Sequence, residues 1–109
     1  MYTVDLHLKG ETVISALDNL QSSINLARKS KEKTLCLIVG HGSTGGTHKI
    51  KTAVLERLLE LKQKNQIKDY IIGNEVDIFN QKYQTLKGRE NIQKSLVGHM
   101  NAGEILVIL

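Results

Sequence analysis

Leu35-Cys36-Leu37-Ile38-Val39-Gly40-His41-Gly42-Ser43-Thr44-Gly45-Gly46-Thr47 joins five consecutive apolar residues to a turn dense in glycine. Five apolar positions in a row suit a strand covered on both faces or lying centrally in a sheet. An amphipathic helical pattern follows from about residue 48, with Ile50, Val54, Leu58 and Leu61 as its apolar stripe and Asn65 as its stop. A glycine turn between a strand end and a helix start gathers unpaired backbone N–H groups around one point, which favours an anion such as phosphate. A plain connector between two elements would use the same residues. The turn also carries His41, a group that moves protons near neutral pH.

Gly40, Gly45 and Thr47 stand where a G-x-x-x-x-G-K-[ST] nucleotide loop wants them, but Gly46 occupies the lysine position. Without that cation, and without a second acidic strand end to hold magnesium, nucleotide hydrolysis is disfavoured.

Towards the amino terminus, residues 3–9 alternate, with Val4, Leu6 and Leu8 on one face and Thr3, Asp5, His7 and Lys9 on the other. The pattern predicts a half-buried strand that sets Asp5 and His7 side by side. From Thr12, a natural N-cap, Val13, Ala16, Leu17, Leu20, Ile24 and Ala27 recur at helical spacing until a charged break at 28–33. Strand, helix and strand in this succession imply a right-handed crossover and two parallel strands. Towards the carboxyl terminus, residues 67–72 and 104–109 read as a third and a fourth strand. The polar stretch between them, at about 73–101, reads as an insertion in a single domain spanning 1–109. Within it, 80–86 suits a short helix whose Phe79 and Tyr83 pack back on the body, and 88–101 shows no periodicity to assign.

The chain of 109 residues has a formal charge of +4 and a pI near 9.3, modest values that suit solubility as well as nucleic acid. Lys49, Lys51, Arg57, Lys62, Lys64 and Lys68 crowd the second helix and its exit, opposed by Glu56, Glu60 and Asp69. Lys49 and Lys51 are expected in the first turn, where the helix dipole disfavours cations unless an anion docks there; a solvated lysine face is the competing reading. The lone Cys36 sits in the apolar run and reads as a small buried residue. Four histidines and one cysteine show no tight metal-ligand spacing, so no metal site is inferred. No stretch reaches the length of a membrane span and the amino terminus lacks signal-peptide character, so the expectation is a cytoplasmic protein with no membrane partner.

If the two parallel strands are neighbours, their carboxyl ends open on one edge of the sheet, where ligands settle in open α/β folds. Asp5, His7 and His41 would then converge beside the glycine cradle. Two imidazoles and a carboxylate suffice for general acid–base cleavage of a phosphodiester: one ring takes a proton from the nucleophile, the other gives one to the leaving oxygen, and the carboxylate orients a ring.

With these residues in view, the chain resembles the small MutS-related, or Smr, domain family. Val4-Asp5-Leu6-His7 looks like the family's Leu-Asp-Leu-His motif, and His41-Gly42 with the following glycines looks like its His-Gly-x-Gly motif. Asn101-Ala102-Gly103 leads into the terminal strand in the family's manner, and residues 73–80 are similar to an insertion of a free-standing bacterial subgroup. This sequence departs from the pattern in placing Leu8 and Lys9 before Gly10, in Ser43 and Thr44 lengthening the second loop, and in Ile105 where many members have threonine. The resemblance implies an α/β fold, a two-layer βαβαββ sandwich with a four-stranded mixed sheet, similar to the C-terminal domain of translation initiation factor 3. It also implies an endonuclease that cleaves RNA or nicks DNA, with DNA repair and ribosome rescue as its settings. Asp5, His7 and His41 are the catalytic candidates; Gly42, Ser43, Thr44, Gly45, Gly46, Thr47, His48, Lys49 and Lys51 are the phosphate-binding ones. No cofactor is inferred, a divalent metal is left open for DNA nicking, and the partners are RNA or DNA and, as an open option, the ribosome. The alternative is a non-catalytic nucleic-acid or ribosome-binding module with the same cradle. Oligomeric state is not legible.

Overall fold

A computed structural model describes residues 1–6, 12–40, 45–88, 90 and 92–109, with the backbone alone at 45–48. Four strands, β1 (Tyr2–Asp5), β2 (Thr34–Ile38), β3 (Asp69–Ile72) and β4 (Glu104–Ile108), form one sheet in the order β1-β2-β4-β3. β1 runs parallel to β2, and β4 is antiparallel to both β2 and β3, so the sheet is mixed as expected. The helices are α1 (Val13–Lys29), α2 (Gly45–Gln63) and α3 (Gln81–Lys87).

The continuous apolar run becomes the centre of this sheet. β2 is flanked on both sides, and Thr34, Leu35, Cys36 and Leu37 are all buried. The two faces of the sheet serve two cores. Leu35, Leu37 and Val39, with Ile105 and Val107, meet Leu20 and Ile24 of α1 and Val54 and Leu58 of α2. On the opposite face, Ile71, Leu106 and Ile108 are covered by Val76, Tyr83, Leu86 and Ile92. The insertion thus adds a partial third layer to a two-layer sandwich, closing the β4–β3 half of the second face. Each fully buried leucine or isoleucine here contributes about 1.5–3 kcal/mol.

α1 begins where Thr12 predicts. The Thr12 hydroxyl accepts from the Ser15 N–H at 3.1 Å and Ser15 Oγ accepts from the Thr12 N–H at 2.9 Å, a capping box with serine in the glutamate position. α2 buries the expected stripe of Ile50, Val54, Leu58 and Leu61, but it begins at Gly45, three residues before the expected start at 48. β1 ends at Asp5; residues 7–9 of the expected longer strand lie outside the described residues.

Two expectations for the insertion change. Tyr83 is buried as anticipated, whereas Phe79 is 91% exposed. Asp77 Oδ1 accepts from the Phe79 N–H at 2.9 Å and Asn80 caps α3, so the turn at 77–80 closes on itself and points the ring outward. The unassigned stretch 88–101 supplies Ile92 to the second core, with Leu96, Val97 and Met100 packed against it.

Candidate functional site

The carboxyl ends of β1, β2 and β3 and the start of β4 meet at one end of the sheet. Asp5 pairs in register with Ile38, and Ile38 with Glu104, so these three form a row on the face away from α1 and α2. The β1–β2 ladder continues one step further, with the Leu6 N–H donating to the Ile38 carbonyl at 2.8 Å. Asp5 is half-buried in this row.

Beyond β2 the chain is gripped by the turn that precedes β4. The N–H groups of Val39 and Gly40 both donate to the Gly103 carbonyl, at 2.8 and 3.1 Å. Gly40 has φ +75°, a left-handed conformation in which glycine pays no steric penalty. Gly103 lies so close that a Cβ there would sit 3.1 Å from the Gly40 carbonyl carbon. The turn is itself tied down. Asn101 Oδ1 accepts from the Gly103 N–H at 2.8 Å, and the Asn101 N–H donates to Glu104 Oε1 at 3.0 Å. Lys51 Nζ reaches across from α2 to the Ala102 carbonyl at 2.8 Å.

Glu104 also receives the Cys36 thiol, with Sγ 3.7 Å from Oε2. Burial, followed by the Glu104 carboxylate, pushes the Cys36 thiol up to about 11, so it stays protonated at neutral pH and is no nucleophile.

Of the residues expected to act here, Asp5 is the last residue of β1, whereas the alternation sets it in the middle of a longer strand. His7, His41, Gly42, Ser43 and Thr44 lie outside the described residues. Gly45, Gly46, Thr47 and His48 form the opening turn of α2, whose first N–H groups lack intrahelical partners, and this turn contains no acidic residue. Lys49 and Lys51 are not in that turn. Because the helix starts at Gly45, they are its fifth and seventh residues, Lys49 exposed and Lys51 half-buried on the Ala102 carbonyl. Around α2 and its exit, Lys62 pairs with the buried Asp69 at 3.1 Å, Lys64 with Glu60 at 2.9 Å and Lys68 with Glu90 at 3.8 Å. Those three lysines are therefore engaged within the fold.

Asn101 and Glu104 were not among the site candidates, although they hold the turn that positions Gly40. The signal was an Asn-x-Gly turn ahead of a strand, followed by a glutamate whose in-register neighbours are Ile38 and, one step on, Asp5. Among the described residues no group of three or more His, Cys, Asp or Glu side chains could hold a metal ion, and no helix is long and apolar enough to cross a membrane.

No protein-family model matches the chain, and no curated protein matches it in sequence. In structure it is similar to the crystallised Smr domain of Thermus thermophilus MutS2, with a TM-score of 0.61 and 20% sequence identity, over 100% of this chain and 98% of that one. The architecture is therefore the Smr-domain fold.

Proposed function

We propose that the protein is a small endonuclease of polynucleotides, acting at the end of the sheet where β1, β2 and α2 meet. The observation that carries this reading is the convergence of three features there. These are the Asp5 strand end, the left-handed Gly40 that opens the loop into the α2 N-terminus, and the 101–103 turn that clamps Gly40 and Lys51. Sharing the Smr fold supports it.

In RNA cleavage, His7 or His41 takes the proton of the 2′-hydroxyl, whose oxygen attacks phosphorus to form a cyclic phosphate. The other histidine gives a proton to the departing 5′-oxygen. Asp5, two residues before His7, holds its tautomer. The loop amides of 42–47 and the first turn of α2 take up the charge that develops on the phosphoryl oxygens. Lys51, with one N–H spent on Ala102, retains two donors for the same phosphate.

The test compares cleavage of single-stranded RNA, its 2′-deoxy equivalent and supercoiled DNA, each with and without a chelator. Cyclic phosphate ends from RNA that survive the chelator, and are lost in both His7→Ala and His41→Ala, support the mechanism. Cleavage untouched by either substitution refutes it, and chelator-sensitive DNA nicking would replace the 2′-hydroxyl route. Binding without cleavage under every condition would make the protein a binding module, and cosedimentation with ribosomes would then identify that partner.

A further inference from the structure

The other end of the sheet carries a second basic surface. Three adjoining hollows, of about 480, 570 and 250 Å³, run around the start of β2, the end of β4 and the approach to β3. Arg28 and Lys68 line the first two, while Lys31 and Lys33 line the first and third. All four cations are exposed. Two carboxylate side chains share the surface and both are engaged, Glu32 with the Met1 amino group at 3.2 Å and Glu90 with Lys68 at 3.8 Å, and the carboxyl-terminal Leu109 lines the first two hollows beside them. Arg28, Lys31 and Lys33 make no ion pair among the described residues.

The helix dipole does not account for this cluster. Only Arg28 lies in the last turn of α1; Lys31 and Lys33 fall beyond it and Lys68 comes from another segment. Lys31 is also placed against local preference. It follows the C-cap Ser30 with φ 60°, the left-handed position that glycine or asparagine normally fills, and the matching residue after α2 is Asn65, with φ 59°. The chain keeps a cation where a better-suited residue would relax the turn.

We infer that this trough is a second contact for a phosphate backbone, so that a polynucleotide reaching the candidate site is held at both ends of the sheet. The inference rests on the reading of that site as one for polynucleotides. All four cations line the first hollow and the other two continue it on either side, an elongated basic lining that suits a chain of charges better than a single phosphate. From Thr34 at the start of β2 to Gly40 beyond its end the chain covers roughly 20 Å, which is about six steps of a duplex at 3.4 Å of helix axis each.

The decisive variant is Lys31→Gly with Lys33→Gln, which removes two charges and relaxes the left-handed turn. Binding of a labelled strand of about 20 nucleotides is followed against salt concentration, with thermal unfolding measured alongside. The variant should unfold at the parent's temperature or higher, bind more weakly, and lose about 1.4 from the salt slope on single strands, or about 1.8 on duplex. Parent-like affinity and slope would overturn the inference and leave the site at the other end standing. Absence of polynucleotide binding by the parent would overturn both. Preferential binding of a poly-glutamate peptide that the variant loses would assign the trough to an acidic protein and overturn it as well.

Discussion

Replacing Gly103 by alanine tests whether the grip on Gly40 is a matter of space. The added Cβ would lie 3.1 Å from the Gly40 carbonyl carbon, 3.2 Å from Asn101 Oδ1 and 3.3 Å from Gly40 Cα. Optimal carbon contacts are about 3.5–4.0 Å, so Gly40 must retreat by several tenths of an ångström. It retreats against its own hydrogen bond and that of Val39 to the Gly103 carbonyl, since both strands are anchored in the core. Overpacking of this kind costs about 1–3 kcal/mol. For 109 residues the unfolding entropy is about 0.23 kcal/mol/K, so Tm should fall by about 4–13 °C. Gly98 is the control: its φ is +76° but a Cβ there meets nothing within 4 Å. Gly98→Asn, which tolerates the left-handed region, should therefore recover most of what Gly98→Ala loses, whereas Gly103→Ser should be no better than Gly103→Ala. A Gly103→Ala protein melting within about 1 °C of the parent would refute the contact argument.

Three further outcomes follow from the same geometry. Lys51→Met keeps the aliphatic stem but removes the donor to Ala102, and should lower stability by about 1–2 kcal/mol in urea titration; an unchanged midpoint would show that the bond holds nothing in place. Phe79→Ser should shift stability by no more than about 0.5 kcal/mol because the ring is 91% exposed, and a large loss would mean that the ring packs after all. Cys36 titrates at about 11 in the fold against 9.0 for an ordinary thiol, so above pH 9 the unfolded chain releases a proton that the native one retains. Unfolding free energy should accordingly fall as pH rises from 9 to 11, by about 2–3 kcal/mol in all, and Cys36→Ala should remove that part of the slope. Thiol labelling at equal rates in native and unfolded protein would contradict the burial behind it.

The elements that were readable from the chain are those whose signals are local. Thr12 followed by an apolar residue marks a cap, and Ile50, Val54, Leu58 and Leu61 mark a face, whatever lies opposite. The start of α2 was misjudged because glycine has low helix propensity and the first apolar residue after it is Ile50, so the opening turn leaves no periodic trace in the sequence. Phe79 was misjudged because an aromatic beside a helix start reads as packing, while the direction of the turn depends on the Asp77 carboxylate accepting from the Phe79 N–H. The bond from Lys51 to Ala102 spans 51 positions, and the role of Glu104 follows from its register opposite Ile38, so neither could be read before the sheet order was known. At the site, Asp5 was legible as a polar residue on an alternating strand, while the end of β1 at Asp5 was not, because the alternation of apolar and polar residues runs on to residue 9.

The order β1-β2-β4-β3 also bears on how the protein comes into being. The strand synthesised last occupies an interior place, and β2 and β3 are joined only through it. Until residues 104–108 have left the ribosome, β2 has one open edge and β3 has no partner. At about 5–20 residues per second, the 36 positions between Ile72 and Ile108 take roughly 2–7 s to translate. During that interval an apolar strand and its hydrogen-bonding groups stand unsatisfied, the condition under which chains pair with one another and aggregate. Completion of the sheet thus waits on β4, and nascent chains stalled short of it should be the ones that protease and chaperone engage.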